Sequence, residues 1–253
     1  MEQVPQNRII PKQRNRWTEV VVAILIPLFF LAGAFSRQST MSWGGLFFFG
    51  FIGLVVGYSI YNRWIWRHVW KKLAQEIGLD YHFGPFAKNP RNPRLTGYYR
   101  GYSIKVDRFH GLGRVIYTRI QIAHTISLAN HHLRVEKKDW LDRIKKQHNI
   151  HSSKGIPYAQ IGETKLDNLL LIQSQPLDFA QQVFKPAMIR QGMEEVATGV
   201  YEMNLTLFNN RLRYYEAGFW NYDVAYLKGV IDWLIEITQQ IERVANQKSK
   251  HST

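Results

Sequence analysis

Two long apolar runs open the chain, and after residue 72 the pattern changes to short alternating and helical periods. The first run is Glu19 to Phe35 and the second is Trp43 to Tyr61. A hydrocarbon core of about 30 Å is crossed by a helix rising about 1.5 Å per residue, so each run is long enough, or nearly so, to span it. The pair predicts a transmembrane hairpin. Pro27 is expected to kink the first span, which a packed partner helix tolerates. Gly50, Gly53 and Gly57 give the second span a small-residue face. That face suits packing against the first span within one chain, or dimerisation through the same surface. Beyond the second run, Trp66, Val69, Trp70, Leu73, Ala74 and Ile77 keep an i, i+3, i+4, i+7 rhythm, and Gly78 supplies a stop. The second span is therefore expected to continue as a helical stalk to about Ile77, with Arg67, His68, Lys71 and Lys72 on its other face.

Residues 80–94 are rich in Pro, Asn and Gly and read as a linker. Strands are expected at Leu95–Tyr99 and Tyr102–Phe109 about an Arg100-Gly101 turn, then at Val115–Ile126 and around Leu133 and Val135. A short helix is expected over Lys138–His148, irregular chain over 149–166 and a buried strand over Asn168–Gln173. Gln175-Pro176 marks a helix entry, with helices over Leu177–Phe184 and Ala187–Ala197. A hairpin should turn at Asn209-Asn210, and a long amphipathic helix should run from Tyr222 to Ala245. Meanders and hairpins with helices between them predict an α+β domain with an antiparallel sheet. The expected organisation is a basic flank (1–18), a transmembrane hairpin with helical stalk (19–77), a linker (78–94), an α+β domain (95–246) and a tail (247–253).

Charge adds a direction to this layout. The net charge is +14, and residues 1–154 carry 24 Lys and Arg against 8 Asp and Glu, whereas 155–253 carry 9 against 11. Both outer flanks of the hairpin are basic, and the connecting loop Ser36–Ser42 carries only Arg37. The positive-inside rule then places both termini in the cytoplasm of a bacterial inner membrane. A cleaved signal peptide, with Ala32-Gly33-Ala34 as the processing site, is the competing reading, and the second span that follows at once argues against it. Arg63, Arg67, Lys71, Lys72, Arg91, Arg94 and Arg100 form the candidate lipid- or anion-binding set. Each such cation near an anionic leaflet is worth about 1 kcal/mol. A solvated basic face is the plainer account of the same residues. Arginines interleaved with Tyr98, Tyr99, Tyr102 and Tyr117 would also suit a polyanion, although no nucleic-acid motif accompanies them and nucleic acid is not the expected partner.

The series Leu95-Thr96-Gly97-Tyr98-Tyr99-Arg100-Gly101-Tyr102 and Tyr117-Thr118-Arg119-Ile120, behind a membrane hairpin, resembles a loose group of uncharacterised bacterial membrane proteins. Where that group has Gly-Asp-x-x-Phe-Asp, this chain has Gly162-Glu163-Thr164-Lys165-Leu166-Asp167, a partial match. The resemblance implies the architecture and no activity.

No motif of catalysis stands out. The chain has no cysteine, which excludes disulfides and thiolate chemistry. Gly111-Leu112-Gly113 is followed by neither a helix nor the Lys-Ser/Thr of a phosphate loop. His131-His132 and His148-x-x-His151 are the dense histidine clusters, but Lys145, Lys146 and Lys154 would repel a cation. Asp139 with Asp142, and Glu194 with Glu195, read as solvated helix acids. No cofactor, metal or catalytic residue is expected. The expected role is an interaction or scaffold module at the membrane surface, with anionic head groups and a protein partner or second copy as its contacts. The alternative is an unrecognised enzyme or small-ligand domain tethered to the membrane.

Overall fold

A computed structural model describes residues 43–82, 93–110, 116–126, 128, 131–138, 155–200, 202–208, 210–217 and 224–250. Side chains of most residues in 43–66 lie outside that description, as do those of 109, 110, 116, 217 and 248–250. So do the expected first span (19–35) and all but the first residue of the helix expected over Lys138–His148.

The first element, α1, is one helix of 35 residues, Trp43–Ile77. At 1.5 Å per residue it is about 52 Å long. Gly78 ends it at φ 69°, and the Leu79 amide bonds back to the Ala74 carbonyl at 2.9 Å, a left-handed cap that closes the last turn. Val69, Trp70, Leu73, Ala74 and Ile77 are all buried, so the stripe read as a stalk is part of the domain core.

The chain then builds one nine-stranded sheet. Its strands are β1 (Asp80–His82), β2 (Arg94–Tyr99), β3 (Tyr102–His110), β4 (Ile116–Ala123), β5 (His132–Lys137), β6 (Tyr158–Ala159), β7 (Leu170–Gln175), β8 (Glu202–Phe208) and β9 (Arg211–Ala217). The spatial order is β1-β2-β3-β4-β9-β8-β5-β7-β6, and every pair is antiparallel. The β8–β9 hairpin enters last and joins the first meander to the β5-β7-β6 group. Between β2 and β3 the turn is Arg100-Gly101, both at positive φ (50° and 83°), a geometry that favours glycine at the second position.

Helices α2 (Thr164–Leu169), α3 (Leu177–Val183), α4 (Ala187–Gly199) and α5 (Val224–Lys250) join the end of α1 on one side of the sheet. Strand alternation sends Leu95, Ile104, Val106, Ile120, Ile122, Leu133, Val135, Leu205, Leu212 and Tyr214 to that side, all buried. The stripe Leu227, Ile231, Leu234, Ile235, Ile241 and Val244 of α5 meets them. Thr238, also buried, bonds its hydroxyl to the Leu234 carbonyl within its own helix. At Gly192 the helices α4 and α5 approach so closely that an added Cβ would lie 2.4 Å from Trp233 Cδ1.

Four expectations shift. The last helix, expected to end at Ala245 ahead of a tail over 247–253, runs on to Lys250. The strand expected at 168–173 begins two residues later, because 164–169 coil into α2 and bury Leu166. Asp167 accepts hydrogen bonds from the Ile161 and Gly162 amides at 3.0 and 3.1 Å, which orders the chain ahead of that helix. The segment 149–166 therefore holds β6 and the start of α2. The segment 78–94 holds β1 at its beginning, paired with β2; residues 83–92 lie outside the description.

Candidate functional site

None of the described helices packs on the opposite face of the sheet, and its residues follow from the registers. One row crosses Asp80, Thr96, Lys105, Gln121, Arg213, Thr206, Arg134, Gln173 and Tyr158. The neighbouring row on the inner side holds Arg94, Asp107, Arg119, Tyr215, Asn204, Glu136 and Leu171. The row on the other side includes Tyr98, Ser103, Arg211 and Phe208. Past the inner row, Tyr117 donates to Glu202 at 2.7 Å.

Acids and bases are not mixed evenly here. Asp107 accepts both Nε and Nη2 of Arg119, at 2.7 and 2.6 Å, and lies 3.2 Å from Lys105. That bond to Asp107 raises the Arg119 guanidinium above its ordinary range, against the opposing effect of burial. Glu136 accepts Arg134 and the Asn204 amide. The Tyr117 phenol is pushed up to about 12 by its bond to Glu202, with burial adding to it. So the acids Asp107, Glu136 and Glu202 stand on the inner side. Arg211 and Arg213, two residues apart on β9, meet no carboxylate among the described residues. Arg211 donates to Gln121 at 3.3 Å. Arg213 lies with its guanidinium carbon 4.2 Å from the centre of the Phe208 ring, and its buried Nε has no hydrogen-bond partner among the described residues.

The sequence-derived candidates do not converge on this face. Lys71 and Lys72 are exposed on α1, and Arg67 is half-buried beside Tyr81. Arg94 is exposed on the open face. Arg100 sits at the β2–β3 turn and reaches to Asp232 and Glu236 of α5, at 3.4 and 3.3 Å. The side chain of Arg63 and the whole of Arg91 lie outside the description. Gly53 and Gly57 are exposed positions of α1 where a Cβ would meet nothing within 4 Å; Gly50 is partly exposed. Of the tyrosines, Tyr98 and Tyr117 belong to the open face, whereas Tyr102 lies under the helices and donates to Glu242 at 2.8 Å. Burial and that bond push the Tyr102 phenol up to about 12. His131 packs on Phe179 under the helices, and His132 opens β5. No group of three metal-type side chains occurs among the described residues. Asp139, Asp142, His148 and His151 lie outside the description. Glu194 is engaged by Lys165 and Glu195 by Gln191.

Sequence reading passed over Arg134, on a short strand in the basic half, and Arg211 and Arg213, in a second half that is slightly acidic overall. The signal was local: Arg211-x-Arg213 occupies polar positions of an alternating strand. One buried acid also went unnoticed. Glu216 is fully buried beneath the helices and accepts the hydroxyls of Tyr214 and Tyr226 at 2.6 and 2.8 Å.

The class defined by this geometry is an α+β protein with a wide antiparallel sheet, covered by helices on one face and polar on the other. No protein-family model matches the chain, and no curated protein is significantly similar to it.

Proposed function

We propose that this chain is an integral inner-membrane protein whose basic α+β domain serves as an interaction module at the cytoplasmic surface. The observation that carries the reading is the two-part character of α1. Its C-terminal part is locked into the domain core by Trp70 and Leu73, both fully buried. Its N-terminal part presents Ile52, Val56, Ile60 and Trp64, one turn apart and 41–65% exposed. An apolar stripe of this kind on a soluble surface would be a liability, and a bilayer is the solvent that suits it. Among the described residues no helix is long and apolar enough to cross a membrane, and most side chains of 43–63 are not among them. The reading therefore rests on the sequence of both apolar runs together with the exposed stripe.

Because α1 is unbroken, the domain is held to the bilayer by a rigid helix rather than by a flexible linker. Lys71 and Lys72, on its exposed side, lie about 10–12 Å along the axis from Trp64, within reach of head groups for long flexible side chains. They fit contact with anionic head groups better than Arg100, whose charge is answered by Asp232 and Glu236.

Two measurements test this. Alkaline carbonate should leave the full chain in the membrane pellet; release into the supernatant would refute the anchor. Reporter fusions at residue 39 and at the C-terminus should give opposite signals, extracytoplasmic at 39. An extracytoplasmic C-terminus would refute the topology.

A further inference from the structure

On the outer rows of the open face Arg211 and Arg213 stand apart from the described acids, and α1 provides a ruler for where the rows lie. We propose that this half of the sheet, centred on Arg211 and Arg213, binds single-stranded nucleic acid. The proposal names a partner for the interaction module and rests on that part of the reading above, but not on the membrane anchor.

Three observations favour this occupant. First, along the Lys105 row the cations fall on β3, β9 and β5, every second strand; Lys105 and Arg134 also reach Asp107 and Glu136 of the inner row, and Arg213 between them meets no described carboxylate. At 4.7–4.9 Å per strand they stand about 9–10 Å apart, with Gln121 and Thr206 as neutral hydrogen-bonding groups between them. The sole acid of that row is Asp80, at the β1 edge. Second, the face carries aromatic planes beside the charges. Tyr98 is 75% and Phe208 48% exposed, and the Arg213 guanidinium lies over the Phe208 ring. A flat guanidinium without a carboxylate, held over an aromatic ring, is a surface on which a base stacks while its N–H groups reach a phosphate. Third, the strands concerned are hydrogen-bonded on both sides, so no free edge invites an added peptide strand.

A lipid surface fits this patch poorly. Leu79, just past the end of α1, packs against Gly97, between the Thr96 and Tyr98 rows. Trp64 lies 13 residues earlier than Ile77, about 20 Å up the helix, whereas charges are screened beyond about 8 Å at physiological salt. At β2 the outer rows therefore stand level with the end of α1, about 20 Å along its axis from Trp64.

The test uses the full chain in phosphatidylcholine nanodiscs and a fluorescein-labelled 15-nucleotide oligouridine, followed by anisotropy between 50 and 200 mM salt. Saturable binding that weakens with salt is expected. Arg211→Gln with Arg213→Gln should weaken binding at least tenfold and reduce the log–log salt slope by about 1.4, since each phosphate neutralised on a single strand adds about 0.7 to it. Phe208→Ala should weaken binding about fivefold or more with little change in slope. Lys185→Gln, on the helix side, should bind as the parent does. Circular dichroism spectra matching the parent establish that each variant is folded. No saturable binding at 50 mM salt would overturn the proposal. So would an unchanged slope in the double variant, or displacement of the oligonucleotide by a polyglutamate 15-mer as readily as by unlabelled oligouridine. Displacement of the bound oligonucleotide by phosphatidylglycerol vesicles as readily as by unlabelled oligouridine would overturn it too, and assign the patch to lipid instead. Carbonate extraction of the same protein separates the outcomes: absence of oligonucleotide binding with retention in the pellet refutes this proposal and leaves the anchor standing.

Discussion

Replacing Gly192 by alanine should destabilise the protein, although alanine is the better helix former. Gly192 lies inside α4, where it faces Trp233 of α5. A methyl group there would stand 2.4 Å from Cδ1 and 2.6 Å from Nε1 of the indole. The indole has little freedom to yield. It is almost wholly buried, its Nε1 donates to the Ile189 carbonyl at 3.0 Å, and its ring meets Tyr214 edge-on at 6.1 Å. Forcing a methyl into such a contact costs about 1–3 kcal/mol. Moving the indole off its acceptor leaves a buried N–H unmet, at about 1–3 kcal/mol. The gain in helix propensity offsets about 1 kcal/mol. The net is a loss of about 3 kcal/mol, which for a chain of this size lowers the melting temperature by about 6–12 °C. Gly199, the last residue of the same helix, is the matched control, since a Cβ there meets nothing within 4 Å. Gly199→Ala should raise stability by up to about 1 kcal/mol. Circular dichroism melts at 222 nm of the full chain in detergent give both values. A Gly192→Ala protein melting at or above the parent would refute the close packing of α4 on α5.

Other outcomes follow from the same geometry. Tyr214→Phe and Tyr226→Phe each remove a hydroxyl from the buried Glu216 carboxylate and should cost about 1–3 kcal/mol apiece. A double-mutant cycle by thermal melting should show coupling between them, and simple additivity would mean that they do not share the acid. Asp107→Asn should cost about 1–2 kcal/mol, discounted for the part-exposure of Arg119, and Arg119→Lys should not restore the paired geometry. The phenols of Tyr102 and Tyr117 should ionise near 12, later than an ordinary tyrosine at 10. Between those values the unfolded chain loses protons that the native one keeps, so stability falls as pH rises from about 10 to 12. Titration at 295 nm should lose a late-titrating phenol in each of Tyr102→Phe and Tyr117→Phe, and an unchanged curve would refute the two carboxylate contacts.

Much of the fold was legible in the residues themselves. Local chemistry set the turn at Arg100-Gly101, the stop at Gly78, the helix entry at Pro176, the β8–β9 hairpin and the apolar stripes of α1 and α5. Each of these depends on neighbours within a few residues. Alternation also gave the inward side of most strands, because a period of two leaves no choice once one face is buried. The start of β7 was misplaced, since Leu169-Leu170-Leu171 carries no mark of where a short helix ends and a strand begins.

Strand order was decided only in three dimensions. Nothing local tells the β8–β9 hairpin to enter between β4 and β5, and that insertion brings Arg211 and Arg213 between Lys105 and Arg134. The same tertiary arrangement split the arginine–tyrosine series, sending Arg100 and Tyr102 toward α5 and leaving Arg94, Lys105 and Arg119 on the open face. The sequence by itself determined which residues are apolar, charged or turn-forming, because those are properties of single side chains and short spacings. Which charges share a face, and whether a distant acid answers one of them, as Asp232 and Glu236 answer Arg100 from 132 and 136 residues away, depends on pairings far apart in the chain, and only packing settles those.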